Sequence, residues 1–332
     1  MEAGDLPQEI LIDIFSRLPL KSVGKCRCLA KLWRQQLSSP RFIKSHLTRK
    51  THQEYLILST PFNTIYSISN IKDDTIWKKL PGPGPGRGPG RWTEVVGSCH
   101  GLVLLVMVNA DYEKFLVNPI TLQQVKVPNW PLALNWWESV SMHGFGYDSS
   151  SDDYKVVTLS YCQRVTLVDV KSICPGAFVN EAIHWLVPGR EPGSPSVIAA
   201  FNLANEVFVE IPAPTGVDML NIMLNKLVVR GGCLCLLYTR EHGQTDVWTM
   251  EEYGLKESWT KFTIHDDIRR PLGWLGDEEV VLLSKLEALL VYNRTNGTLR
   301  NMGVDGHIPV LDGCTFMESL VSPASIGPRS KT

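Results

Sequence analysis

Net charge is nearly absent from this chain of 332 residues: 33 Lys and Arg stand against 34 Asp and Glu, a formal −1. The chain as a whole therefore sets up no field that would draw in nucleic acid or an anionic membrane. Also missing is any apolar run approaching the ~18–20 residues that span a bilayer. The eight cysteines contain no Cys-x-x-Cys pair. Cys26 and Cys28 fall in a helical stretch and point apart, and Cys233 and Cys235 have no nearby histidine to complete a zinc set. All eight read as reduced thiols, and neither a metal nor another cofactor is expected. The opening residues lack the basic and apolar regions of a signal peptide, so the expected location is cytoplasmic and/or nuclear. What is present is a globular composition, 44% apolar with 10 Trp, and such Trp usage favours a β architecture.

The near-zero charge conceals two unlike parts. Residues 1–50 hold ten Lys or Arg against four acids, +6, which leaves −7 for the remainder. In this basic head Asp5 and Pro7 predict a helix start, and Ile10, Leu11, Ile14, Phe15 and Leu18 form a wide helical stripe that Pro19 ends. A second short helix runs from about Lys21. A third carries Leu29, Leu32, Trp33 and Leu37 and closes at Ser39-Pro40, with Phe42 and Ile43 anchoring the exit. Three helices in under fifty residues bury too little to cover both sides of that stripe. Some of Leu6, Ile10, Leu11, Ile14, Phe15, Leu18, Val23 and Trp33 are expected to stay open for a partner, or else to pack on the rest of the chain.

The run Leu6-Pro7-Gln8-Glu9-Ile10-Leu11, with Leu18-Pro19, Lys21-Ser22-Val23, Lys31-Leu32-Trp33 and Ser39-Pro40-Arg41-Phe42, closely resembles the plant F-box motif over about residues 4–45. The resemblance implies docking to a Skp-type adaptor, and through it to the cullin and RING subunits of an SCF ubiquitin ligase. The contacts it implies are Leu6, Pro7, Ile10, Leu11, Ile14, Leu18, Pro19, Val23 and Trp33, and the basic charge would suit an acidic adaptor. Gly24 departs from the motif, which usually has a larger apolar residue there.

Beyond residue 50 helical periodicity is scarce and one phrase recurs, a short apolar strand followed by a polar hairpin. Phe115–Pro128, Ala199–Pro212 and Leu289–Leu299 align with Asn118, Asn202 and Asn293 in register. Trp248 falls midway between the last two, so the period is about 45 residues. Strands are expected at Tyr55–Leu58, Leu102–Val106, Lys155–Leu159, Ala182–Val187, Leu234–Tyr238 and Val280–Ser284. Repeats of this length, built of three or four short strands, are the signature of β-propeller blades. About six are expected, with Thr315–Val321 returning to close the ring; the rival is a two-sheet β-sandwich. The fold class is thus a small all-α, three-helix head followed by an all-β, propeller-like domain.

This region also resembles the F-box-associated, kelch-like domain of plant F-box proteins, in the CPR and S-locus F-box branches. The matching residues include Gly97-Ser98-Cys99-His100-Gly101, Val117-Asn118-Pro119, Gly144-Phe145-Gly146-Tyr147-Asp148, Ala182-Ile183-His184-Trp185 and Glu257-Ser258-Trp259. The domains follow as an F-box over 1–48, the β domain over 49–325 and a flexible tail over 326–332. Two departures stand out. Between Tyr161 and Pro175 only one strand, Val165–Val170, fits where the family has a full hairpin, which shortens one blade. Pro81–Gly90 is a low-complexity Gly-Pro tract, read as a mobile loop.

Catalytic readings find little support. The Gly-Pro tract lacks the donors of a phosphate loop, Cys99-His100 sits in a turn phrase, and His184 between Ile183 and Trp185 reads as structural. The adjacent pairs Asp152/Asp153, Asp266/Asp267 and Glu278/Glu279 read as solvated turns, because sequence neighbours seldom face each other across a substrate. A rim of aromatic and basic residues is the better candidate for binding: Trp130, Trp136, Trp137, Arg190, Arg240 and His242. The chain is therefore expected to be a non-enzymatic receptor that brings an unidentified protein substrate to a ligase. The alternatives are a propeller enzyme or small-molecule binder, or an F-box protein acting outside a ligase.

Overall fold

Prolines set the helix boundaries at the N-terminus. In the computed structural model, which describes residues 7–47, 54–69, 76–81, 92–108, 113–128, 139–162, 173–187, 197–217, 225–240, 244–266, 268–302 and 309–325, four helices precede the strands. They are α1 (Gln8–Ser16), α2 (Leu20–Leu29), α3 (Lys31–Leu37) and α4 (Pro40–Leu47). Pro7 and Pro19 each sit just before a helix in extended geometry. The Pro7 carbonyl accepts from the amides of Ile10 and Leu11, and that of Pro19 from Ser22 and Val23. Three helices were expected and four form. Pro40, read as a stop, is instead the first residue of α4: its missing N–H costs nothing there, and Ser39 Oγ accepts from the Phe42 amide at 3.3 Å.

The strands follow in chain order. They are β1 (Glu54–Thr60), β2 (Thr64–Ser69) and β3 (Ile76–Leu80); β4 (Trp92–Cys99), β5 (Leu102–Val108), β6 (Lys114–Asn118) and β7 (Gln123–Val127); β8 (Ser139–Asp148), β9 (Asp153–Cys162) and β10 (Ile173–Pro175). Next come β11 (Ala177–Val179), β12 (Ala182–Val187), β13 (Val197–Asn202) and β14 (Phe208–Ile211), then β15 (Lys226–Arg230), β16 (Cys233–Thr239), β17 (Thr245–Met250) and β18 (Trp259–Ile264). The last are β19 (Ile268–Leu275), β20 (Glu279–Ser284), β21 (Leu289–Asn293), β22 (Thr298–Asn301) and β23 (Asp312–Met317). All six strands expected from the apolar runs lie within these elements.

They assemble as a β-propeller, with one correction to the blade number. Five four-stranded blades form, not six: β23-β1-β2-β3, β4 to β7, β11 to β14, β15 to β18 and β19 to β22. The remaining sheet, in the order β10-β8-β9, has three strands, and β10 runs parallel to β8. The Val165–Val170 strand and residues 82–90 of the Gly-Pro tract lie outside the described residues, as does the 326–332 tail. β23 pairs with β1 (Ile57 opposite Cys314), so the last strand completes the first blade and closes the ring. Buried apolar residues separate each sheet from the next, as where Leu56, Leu58 and Ile68 of the first blade meet Val281, Leu283 and Val291 of the last.

The asparagine register has a direct physical cause. Asn118, Asn202 and Asn293 each end the third strand of a blade, and each side-chain Oδ1 accepts from two backbone amides of the following turn, at 2.9 to 3.2 Å. The fourth residue on returns its amide to the asparagine carbonyl and takes a left-handed backbone: Leu122, Glu206 and Gly297, with φ of 62°, 58° and 68°. The repeat legible in the sequence is thus a repeated turn.

Closure is reinforced by a buried ionic knot. Asp312, on β23, accepts from the Val95 amide at 3.0 Å and lies 3.7 Å from Lys226 and 3.4 Å from Arg270; Arg270 reaches Glu94 at 2.9 Å. Four sheets are tied together by these side chains. Past β23 the chain packs beneath the helices: Asn118 Nδ2 donates to the carbonyls of Ser319 and Val321, and Leu320 joins the helical core.

Candidate docking face and the axial cavity

The helical head has its own small core of Phe15, Leu20, Val23, Leu37 and Phe42, with Leu320 inserted from below. Phe15 meets Trp33 edge-on at 5.2 Å. α4 fastens this core to the ring, because Ile43 and Leu47 pack on the cluster between β5 and β8, and Lys44 pairs with Asp152 at 3.1 Å. His46 is buried with a ring nitrogen 3.1 Å from the Leu18 carbonyl.

The expected adaptor contacts fall into three groups. Ile10 and Ile14, three and seven positions after Pro7 on the outer side of α1, are 48% and 44% exposed, and Pro7 and Pro19 are exposed as well. Leu11, Leu18 and Trp33 are half-buried against the head core. Val23 has no exposure at all, because Phe15, Leu37 and Phe42 close over α2. It therefore lies beneath the exposed side of the head and not on it. Leu6 lies outside the described residues. Two residues not counted among the contacts are more exposed than Ile10 or Ile14: Leu29 at 72% and Leu32 at 61%, where α2 passes into α3. Both were legible as apolar positions of the third helix, but a helical pattern alone does not say which of its residues stay uncovered. Lys21, Lys25, Lys31, Arg34 and Arg41 on α2, α3 and α4 are exposed as well.

Of the rim residues, Trp130, Trp136, Trp137, Arg190 and His242 lie outside the described residues. Arg240 is described, and its guanidinium binds the buried carboxylate of Asp246 through Nε at 3.0 Å and Nη2 at 2.5 Å. Asp246 also accepts from Thr263. Arg240 is therefore held to its own blade, and its charge is largely neutralised there.

A cavity of about 390 Å³ lies where β4, β11, β15, β19 and β23 converge on the ring axis. Lys226 in its wall donates to the Leu272 and Gly313 carbonyls at 3.3 and 2.9 Å. Glu54 at its edge accepts from the Gly276 amide, and burial pushes its carboxyl above the usual range. Cys314 is pushed up to about 12 and Cys99 still higher by burial. Both remain thiols at neutral pH, so neither is an activated nucleophile. His184 behaves as a structural residue, with Nδ1 3.1 Å from the Ala177 carbonyl and Nε2 2.7 Å from the Tyr253 hydroxyl. Among the described residues, no group of three or more His, Cys, Asp or Glu could hold a metal ion.

These features have counterparts in known proteins. The F-box domain model matches residues 4–45, the stretch of α1 to α4. An Arabidopsis thaliana F-box/kelch-repeat protein, At3g23880, is 28% identical over 96% of this chain and 96% of its own length. The F-box protein CPR1 of Arabidopsis thaliana is 31% identical over 86% of this chain and 81% of its length. Among solved structures, a chain of a nidogen/laminin complex superimposes with a TM-score of 0.51 at 9% identity, covering 80% of this chain and 99% of that one. This last is a likeness of fold alone. With an F-box in front, a propeller behind and such relatives along most of its length, the chain belongs to the plant F-box proteins, in the CPR branch.

Proposed function

We propose that this protein is the substrate-recognition subunit of an SCF-type cullin-RING ubiquitin ligase. The head, residues 1–48, docks a Skp-type adaptor and through it the cullin and RING subunits. The β domain, residues 49–325, holds a target protein. The observation that carries the reading is the division of α1 into two faces: Phe15 is sealed in the core while Pro7, Ile10 and Ile14 stay open to solvent. Burying such a face against a partner is worth roughly 25 cal/mol per Å² of apolar area. The exposed basic residues of the head favour an acidic adaptor surface and speed encounter.

The receptor contributes position and no bond-making chemistry. Holding target and charged conjugating enzyme on one scaffold raises the effective concentration of substrate lysines near the thioester, which is where the rate gain arises. The axial cavity has the size of a small-molecule site. Its lysine, however, is already bonded to two carbonyls and its thiols are suppressed, so it favours packing over catalysis. The proposed location is the cytoplasm and/or nucleus, where the ligase subunits reside.

The test is binding of the full-length protein to a purified Skp-type adaptor. Pro7→Ala/Ile10→Ala/Ile14→Ala is expected to weaken binding at least a hundredfold while leaving the thermal unfolding midpoint within a few degrees. Equal recovery of adaptor by variant and wild type would remove the docking assignment.

A further inference from the structure

The sheet β10-β8-β9 differs from its neighbours in having three strands among the described residues where they have four. In every blade the second strand is covered on its outer side by a third, antiparallel strand, and that by a fourth. β9 follows β8 in the chain as each blade's second strand follows its first, yet it ends its sheet, with no strand on its outer edge among the described residues. Length explains why. From the second strand of a blade to the first strand of the next sheet, the chain spends 27 residues at the shortest (between Ser284 and Asp312) and 38 at the longest (between Val187 and Lys226). Between Cys162 and Ala177 there are 14, and three of those form β10 on the opposite side of β8. Two outer strands with their turns do not fit into what is left.

The neighbouring blade carries the complementary mark. Fourth strands normally face solvent with charge, which guards an edge against unwanted pairing: Lys78 and Lys79 on β3, Lys126 on β7, Lys261 on β18 and Arg300 on β22. β14 has the exposed Glu210 but no cation, and Val207, Phe208 and Val209 beside and within it are 51%, 50% and 55% exposed. Phe208 lies against Phe201, ring centroids 4.8 Å apart. Phe201 in turn packs on the same cluster as Val157 and Leu159 of β9. An open strand edge and a half-buried apolar wall therefore border one groove.

We infer that this groove takes up an extended segment of the target protein, which adds to β9 as an antiparallel third strand and lays alternate apolar side chains against Phe201 and Phe208. The sibling blades specify this occupant, since a strand fills the same position in each of them. Main-chain hydrogen bonds to β9 would supply affinity, and the Phe wall would select residues at every second position. This deepens the receptor reading and rests on it for the identity of the strand's owner.

The experiment is hydrogen exchange on the full-length protein with a synthetic peptide copying residues 114–127, the hairpin that fills this position in the preceding blade. The peptide is expected to slow exchange of the outward-facing β9 amides at least tenfold in a saturable manner. A version N-methylated at alternate residues should not, and Phe208→Lys should weaken the effect at least fivefold without changing adaptor binding. Three results would overturn the inference: β9 amides already protected in the free monomer, which would mean that the chain covers its own edge; protection that rises with protein concentration, which would mean a second copy; or no response to the peptide. Adaptor binding is read separately, so failure at β9 with the adaptor still bound leaves the receptor role standing, and the converse result leaves the groove standing.

Discussion

The head and the ring solve the same problem in opposite ways. Each is too small or too repetitive to bury its apolar surface one element at a time. The ring passes the problem from sheet to sheet until β23 returns to β1, after which Leu56, Ile57 and Leu58 have no exposure left. The head has no such return. Its four helices bury Phe15, Val23 and Phe42 completely or nearly so, but Ile10, Ile14, Leu29 and Leu32 remain in water. A closed repeat hides its apolar surface, and an unfinished bundle leaves some of it in water.

That contrast can be broken most severely at the ring's seam. Truncation after Val310 removes β23 and with it both edges of closure, and should abolish the cooperative thermal transition of the β domain seen by near-ultraviolet circular dichroism. Asp312→Ala, which keeps the strand but strips the buried knot of its acid, should cost about 3 kcal/mol or more, since Lys226 and Arg270 then lose their common partner. Chemical denaturation would read this directly; a loss below about 1 kcal/mol would show that the knot is not what locks the seam.

Within the head, adjacent residues sharpen the comparison. Phe15→Ala should destabilise by about 3 kcal/mol through the cavity it leaves, whereas Ile14→Ala should change stability by less than about 0.5 kcal/mol yet reduce adaptor affinity at least tenfold. If both lost stability equally, the outer side of α1 would belong to the core.

A smaller effect concerns acid. Burial, with the charge of Lys114 adding to it, holds His143 down to about 3 from an ordinary 6.5. His100 and His184 are lowered in the same direction, chiefly by burial. Between the two values the unfolded chain binds protons that the folded chain refuses, so stability is full above about pH 6.5 and falls as pH is lowered toward 3. Melting midpoints taken across that window should decline, and His143→Gln should flatten the slope without removing it. An unchanged slope would mean that His143 is solvated in the fold.

The smallest expected changes are gains. A Cβ placed on Gly24 meets nothing within 4 Å, so Gly24→Ala should stabilise α2 by up to about 1 kcal/mol. Glu206 holds the left-handed position that Gly297 fills without strain elsewhere, and Glu206→Gly should gain a comparable amount, about 1 kcal/mol or less. Differential scanning calorimetry resolves both.

Much of this was legible from the residues because the determinants are local. An asparagine that accepts two amides marks a turn wherever it occurs, and proline before a helix marks a start. What escaped was whatever two distant segments decide together. Pro40 both ends and begins helices, and only the packing of Phe42 beneath α1 selects the second. Leu29 and Leu32 look like core until the bundle proves too small to enclose them. The shortened blade was visible as missing length, but the parallel addition of β10 to β8 was not, since nothing in Ile173–Pro175 states which strand it will join.

One consequence of the seam concerns synthesis. The first strand waits for the last, so a growing chain can complete its helices some 270 residues before its ring can shut. A copy cut before Asp312 would carry its helices with no closed ring behind them.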